Sequence, residues 1–104
     1  MNPEIDQHAF AARLDEGDAL VVDVREPREY RPGHVPGAIN LPLSVLPARL
    51  AELPRDRPVH VVCRTGGRSF RATALMRSAG IDATNVTGGT SAWVEAGRPL
   101  ETAP

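Results

Sequence analysis

The stretch Val59-His-Val-Val-Cys-Arg-Thr-Gly-Gly-Arg-Ser69 limits this chain's fold more than any other, because it joins two different periodicities across one short loop. Val59, Val61 and Val62 are β-branched residues that suit a pleated, buried surface, so this segment reads as a strand. From Arg68 onward Ala72, Leu75, Met76 and Ala79 recur at i, i+3, i+4 and i+7, which is one face of a helix. Between the two, Cys63 stands at the carboxyl end of the strand, and Gly66 and Gly67 admit backbone angles barred to other residues. Successive amides can therefore turn toward a common point at the positive end of a helix dipole. Arg64 and Arg68 lie in the same loop. These residue types describe a site that holds an anion against a sulfur nucleophile.

The rest of the chain repeats the strand-to-helix alternation. Asp6 caps a helix from about Gln7 to Glu16, with Phe10, Ala11 and Leu14 as its apolar stripe and Gly17 as its stop. Ala19 to Val24 is a near-continuous apolar run, the pattern of a strand covered on both faces. Arg25 to Tyr30 allows one helical turn, and Arg31 to Gly37 is too dense in turn formers for regular structure. Ala38 to Leu41 is a short strand. Ser44 is expected to cap a helix reaching about Leu53, with Pro47 in its first turn and Leu46, Leu50 and Leu53 on one face. Gly80 ends the helix that follows the cysteine, Ile81 to Val86 is a strand, and Gly88-Gly89 turns into a last helix over Thr90 to Glu95. Trp93 on that helix is a core residue, and Thr102 to Pro104 reads as a frayed tail. The alternation predicts an α/β fold with a mainly parallel sheet and helices on both faces, binding ligands at the carboxyl ends of its strands. With 104 residues, no repeats and no dividing linker, residues 1–104 are expected to form a single domain.

Composition narrows the partners. A formal charge of -1 with both signs interspersed gives no footprint for nucleic acid or an anionic membrane, so neither is expected. The chain shows no signal-peptide pattern after Met1 and no apolar run long enough to span a bilayer. The single cysteine excludes an internal disulfide and a cysteine-rich zinc site. No metal and no cofactor are expected, and the cytoplasm is the expected compartment, with the thiol free for chemistry.

Three stretches together resemble the rhodanese family of sulfurtransferases in its single-domain form. Asp23 to Pro42, reading Asp-Val-Arg and then Gly-His-Val-Pro-Gly-Ala, is similar to the family's amino-terminal signature. Cys63-Arg-Thr-Gly-Gly-Arg-Ser69 is similar to its Cys-x-x-Gly-x-Arg-Ser loop, and Val86 to Gly97 to its Gly-Gly-x-x-x-Trp ending. The resemblance implies a parallel five-stranded sheet in a three-layer fold. It also implies transfer of a sulfane sulfur, from thiosulfate or another persulfide donor to cyanide or a thiol acceptor, a thiol protein included. Cys63 is then the nucleophile, and the loop Arg64, Thr65, Gly66, Gly67, Arg68 and Ser69 binds the substrate and cradles the persulfide.

Simple physics fits that chemistry. A free thiol has a pKa of about 8.5, and a helix amino terminus supplies roughly half a positive charge that favours the thiolate. An arginine about 4 Å away would add up to about 4 kcal/mol of attraction before solvent screening. Arg64 and Arg68 suit oxyanions. The mercaptopyruvate branch of the family has a small uncharged Cys-Gly-Ser/Thr-Gly-Val loop, so Arg64 points to thiosulfate. Asp23 and Arg25, at a strand end, are expected to pair as supports for the active loop. His34 reads as a hydrogen-bonding strut, His60 as a strand residue and His8 as surface. Glu26 and Glu29 read as a solvated first turn, and Gly88-Gly89 as a helix entry. The phosphatases and arsenate reductases that such domains resemble need Cys-x5-Arg, and here Arg68 follows Cys63 after only four residues. The alternative to an enzyme is a sulfur-relay or partner-binding module with low turnover of its own.

Overall fold

The computed structural model describes residues 2–103. Its five strands are β1 (Glu4–Ile5), β2 (Leu20–Asp23), β3 (Ile39–Asn40), β4 (Val59–Val62) and β5 (Ala83–Val86). They form one sheet in the order β1-β5-β4-β2-β3, with every pairing parallel. The helices are α1 (Gln7–Glu16), α2 (Pro27–Tyr30), α3 (Leu46–Arg49), α4 (Gly67–Ser78) and α5 (Gly89–Glu95), with a 3-10 turn over Leu50–Glu52. This is the five-stranded parallel α/β architecture that the resemblance implied.

The order of strands places the site. β2 leads to β3 on one side, whereas β4 leads to β5 on the other, so the chain changes direction between neighbouring β2 and β4. Loops leaving that switch point diverge and open a crevice at the carboxyl edge. Register aligns Asp23 with Val62, so the segments that begin at Val24 and Cys63 emerge side by side.

Alternation along the strands builds two cores. Val22, Val24, Val59, Val61 and Cys63 pack with Leu46, Leu53, Ala72 and Met76, beneath α3 and α4. Val21, Val62 and Val86 face the other way and pack with Phe10 and Trp93, beneath α1 and α5. Phe10 and Trp93 meet edge to face at 5.6 Å, and the Trp93 indole N–H donates to the Pro99 carbonyl at 2.7 Å. α1 begins and ends as its sequence predicts: the Asp6 carboxylate accepts from the Ala9 amide at 2.8 Å, and Gly17 is left-handed at φ 81°.

Three expectations need correction. Ser44 does not cap α3, which starts after Val45 with no side-chain cap; the Ser44 hydroxyl instead donates to Glu26 Oε2 at 3.2 Å. The reason is Pro47, which would be the third helical residue after a Ser44 cap and has no N–H for the serine to accept. Residues Thr102 and Ala103 are not frayed, because the tail returns onto the turn at 31–37. His34 and Glu101 exchange two main-chain hydrogen bonds of 2.9 Å, and the Ala103 amide donates to Arg31 O at 3.0 Å. Pro104 lies outside the described residues. Lastly, reading periodicity gave four strands, and β1 is the fifth, a two-residue edge held by β5.

Candidate active site

Cys63 is the first residue beyond β4, and strand alternation turns its side chain to the α4 side of the sheet, where it is 1% exposed. Its sulfur accepts from the Gly66 amide at 3.1 Å and from the Ser69 hydroxyl at 3.3 Å. Burial alone pushes the thiol pKa up. The Ser69 hydroxyl and the amides of Ser69, Gly66 and Thr65 outweigh it and hold the thiol below its ordinary value. The main donors that favour the thiolate are therefore one hydroxyl and the main chain, and the Arg68 charge, taken up first by Glu29, acts on the sulfur to a smaller degree.

Gly66 makes the loop turn. At φ 115° it occupies a conformation that L side chains rarely adopt, and it caps α4. Gly67 does not share that role: its φ is not left-handed, and a Cβ there would meet nothing within 4 Å. The second close constraint lies in another segment. The carbonyls of Cys63 and Arg64 accept from the Thr90 and Ser91 amides at 2.8 and 2.9 Å, so the start of α5 holds the outward-facing oxygens of the loop. That approach requires Gly89, at φ +55°, whose Cβ would stand 2.5 Å from Cys63 O and 2.8 Å from Arg64 O.

The arginines divide. Arg68 is paired with Glu29 in a two-pronged contact of 2.7 and 2.9 Å. That bond holds the Glu29 carboxyl well below its usual range, at about 2. Glu29 is thus half-buried and committed, not the solvated residue expected from its neighbours; Glu26 does share its turn, in a capping box. Arg64 is exposed and has no carboxylate within ion-pair distance among the described residues. Asp23 and Arg25 form the expected pair, almost wholly buried, at 2.8 Å. Arg25 also donates to the Gly33 carbonyl at 2.8 Å, so the hydrogen bonds of this pair brace the 31–37 turn, not the cysteine loop. His34 is the strut its motif suggested: buried, stacked on Tyr30 at 3.8 Å and hydrogen-bonded to the Tyr30 carbonyl at 2.9 Å. His60 lies in β4 and His8 on the surface, as read.

Beside the loop lies a groove of about 580 Å³, bordered by Arg25, Glu29, Gly33, Arg64, Thr90 and Leu100. It occupies the crevice between the segments that follow β2, β4 and β5. No cluster of potential metal ligands occurs among the described residues, and no helix is long and apolar enough to cross a membrane. Sequence reasoning missed Glu29, Gly89 and the α5 amides. The Glu26-x-x-Glu29 capping pattern was a signal for an ordered turn there, whereas nothing local marks the contacts to Arg68 and Cys63.

Residues 6–96 match the family model described as Rhodanese-like domain. A sulfurtransferase of Allochromatium vinosum is 40% identical over 99 residues, spanning 93% of this chain and 92% of that protein. A rhodanese-related protein of Thermoplasma volcanium superposes with a TM-score of 0.88 at 32% identity, covering 97% of this chain and 99% of that one. A thiosulfate sulfurtransferase of Pseudomonas aeruginosa gives a TM-score of 0.87 at 31% identity, covering 99% of this chain but 21% of that protein.

Proposed function

The chain belongs to the rhodanese-like family, and on that premise we propose that it moves a sulfane sulfur from thiosulfate, or another persulfide donor, to cyanide or a thiol acceptor through a persulfide on Cys63. The observation that carries this reading is the Cys63 sulfur, set among the Gly66 amide and the Ser69 hydroxyl with its pKa depressed. In the first half-reaction the thiolate attacks the outer sulfur of thiosulfate, the donor S–S bond breaks, and sulfite leaves with the bonding pair. The negative charge passes to the outer sulfur of the Cys63 persulfide, where the amides of the 64–69 loop are the donors available to stabilise it. In the second, an acceptor nucleophile takes the outer sulfur and Cys63 leaves as the thiolate. No proton transfer is required. Arg64, free and at the mouth of the groove, is the cation available to a donor's oxygens.

Intact mass tests this directly. Incubation with thiosulfate should add one sulfur atom per chain, cyanide should remove it, and Cys63→Ala should accept none. Turnover without any added sulfur would refute the persulfide route. A relay role for a thiol protein is favoured by one further observation: Val94 and Leu100, both exposed, form an apolar wall of the groove. Faster discharge of the persulfide by a thiol protein than by an equal concentration of cyanide would identify that role.

A further inference from the structure

Glu29 lies where the charge of the loop is decided. Its two oxygens fill the guanidinium fork of Arg68, and one of them also accepts from the Glu26 amide at 3.1 Å. Arg68 is the residue before Ser69, and its cation is stabilised first by Glu29 and to a smaller degree by the Cys63 sulfur. Arg25, which also borders the groove, is filled in the same way by Asp23. Of the three guanidinium groups around the loop and groove, two are therefore neutralised by carboxylates and Arg64 alone is not. A loop that carries two cations in sequence offers a donor about one.

Building on the sulfurtransferase reading above, we propose that Glu29 is a specificity-determining residue for the charge of the sulfur donor. Its carboxylate cancels Arg68 and repels the second negative charge of a dianion, which biases the site toward monoanionic sulfane donors such as thiosulfonates and organic persulfides. The chemistry is the same for both classes. With methanethiosulfonate the thiolate attacks the outer sulfur, the S–S bond breaks and methanesulfinate leaves; with thiosulfate the leaving group is sulfite. The two donors differ by one charge.

The experiment compares kcat/KM for thiosulfate and for methanethiosulfonate, with cyanide as acceptor, in the native chain and in Glu29→Gln. Glutamine keeps an acceptor for the Glu26 amide and for Arg68 but removes the charge, and the pair is partly exposed, so the variant should fold. The expected result is a rise of about fivefold in the thiosulfate-to-methanethiosulfonate ratio, the most that one partly screened charge supplies, shrinking as salt is added. Glu29→Asp should keep the native ratio. The double variant Glu29→Gln/Arg68→Gln, which restores the net charge, should return to it. An unchanged ratio in Glu29→Gln, or an equal fall with both donors, would overturn the proposal and leave Glu29 a structural residue. A native chain that forms a persulfide from neither donor would overturn the sulfurtransferase reading itself, and this inference with it.

Discussion

Gly67 and Gly89 both flank the cysteine loop, yet replacing each by alanine should act in opposite directions. At Gly89 the left-handed φ of +55° costs an L residue about 1–2 kcal/mol. The added methyl would also stand 2.5 Å from Cys63 O and 2.8 Å from Arg64 O. Neither carbonyl can swing aside, because each is already bonded to an amide of α5. Overpacking of this kind adds about 1–3 kcal/mol, so Gly89→Ala should lose about 2–5 of the about 5–15 kcal/mol that a folded chain of this kind holds. The backbone shift passes into the amides that face the sulfur, so the thiol should titrate higher. At Gly67 the φ is not left-handed and the methyl meets nothing within 4 Å. Gly67→Ala should therefore stabilise the chain, by about 0.4–1 kcal/mol. Urea unfolding followed by Trp93 fluorescence reads the stabilities, and the pH dependence of Cys63 alkylation reads the thiol. A Gly89→Ala chain with native midpoint and native titration would refute the reasoning, as would a Gly67→Ala chain equally damaged.

Ser69→Ala removes the hydroxyl donor on Sγ, and a hydrogen bond to a charged acceptor is worth about 1.5–3 kcal/mol, so the inflection in alkylation rate should move up by about one to two pH units; an unmoved inflection would mean that the amides alone set the thiol. Arg25→Ala strands the fully buried Asp23 carboxylate, and the urea midpoint should fall by the equivalent of about 3–5 kcal/mol. A loss under about 1 kcal/mol would show that water compensates the charge as it does at a surface pair. Acid should weaken the fold in two stages. Burial, and then the Arg13 charge, lower the His60 pKa, so its contribution is whole above 6.5 and is lost as pH falls below that value. The Arg68 contact lowers Glu29 from 4.5 to about 2, so its contribution is whole above 4.5 and fades toward 2. His60→Gln should abolish the upper stage and Glu29→Gln the lower; a single stage common to all three chains would contradict both assignments.

What could be read in the sequence was what short-range pattern dictates. Val59 to Val62 alternates into two cores, Phe10 and Leu14 fall on one helical face, and Cys63 ends a strand because the apolar run stops there. Even the capping of α1 is local, since Asp6 and Ala9 are three residues apart. The unread parts are long-range. Glu4–Ile5 is too short to show any alternation and is a strand only because β5 offers it an edge. Arg68 and Glu29 are 39 residues apart, so an arginine with the look of a free donor to anions is filled by a residue no spacing rule connects to it. Ser44 was misread by ranking residue type above the neighbour: its identity suits a cap, but Pro47 cannot supply the proton. Gly67 was misread for a similar reason, as two adjacent glycines look alike until their dihedral angles are known.

The cysteine loop is held chiefly by main-chain atoms: amides of Thr65, Gly66 and Ser69 on its inner side, and amides of Thr90 and Ser91 on the carbonyls of its outer side. Every residue except proline carries such an amide, whatever its side chain. Substitutions at Thr65 or Ser91 can therefore recolour the rim while the geometry around the sulfur survives. Only the residues at fixed tolerances, Gly66, Gly89 and Ser69, are pinned by what they lack or by the one proton they supply. On the function proposed above, such a division would let the groove wall change at Val94, Glu95 or Leu100 while the geometry around the sulfur is kept.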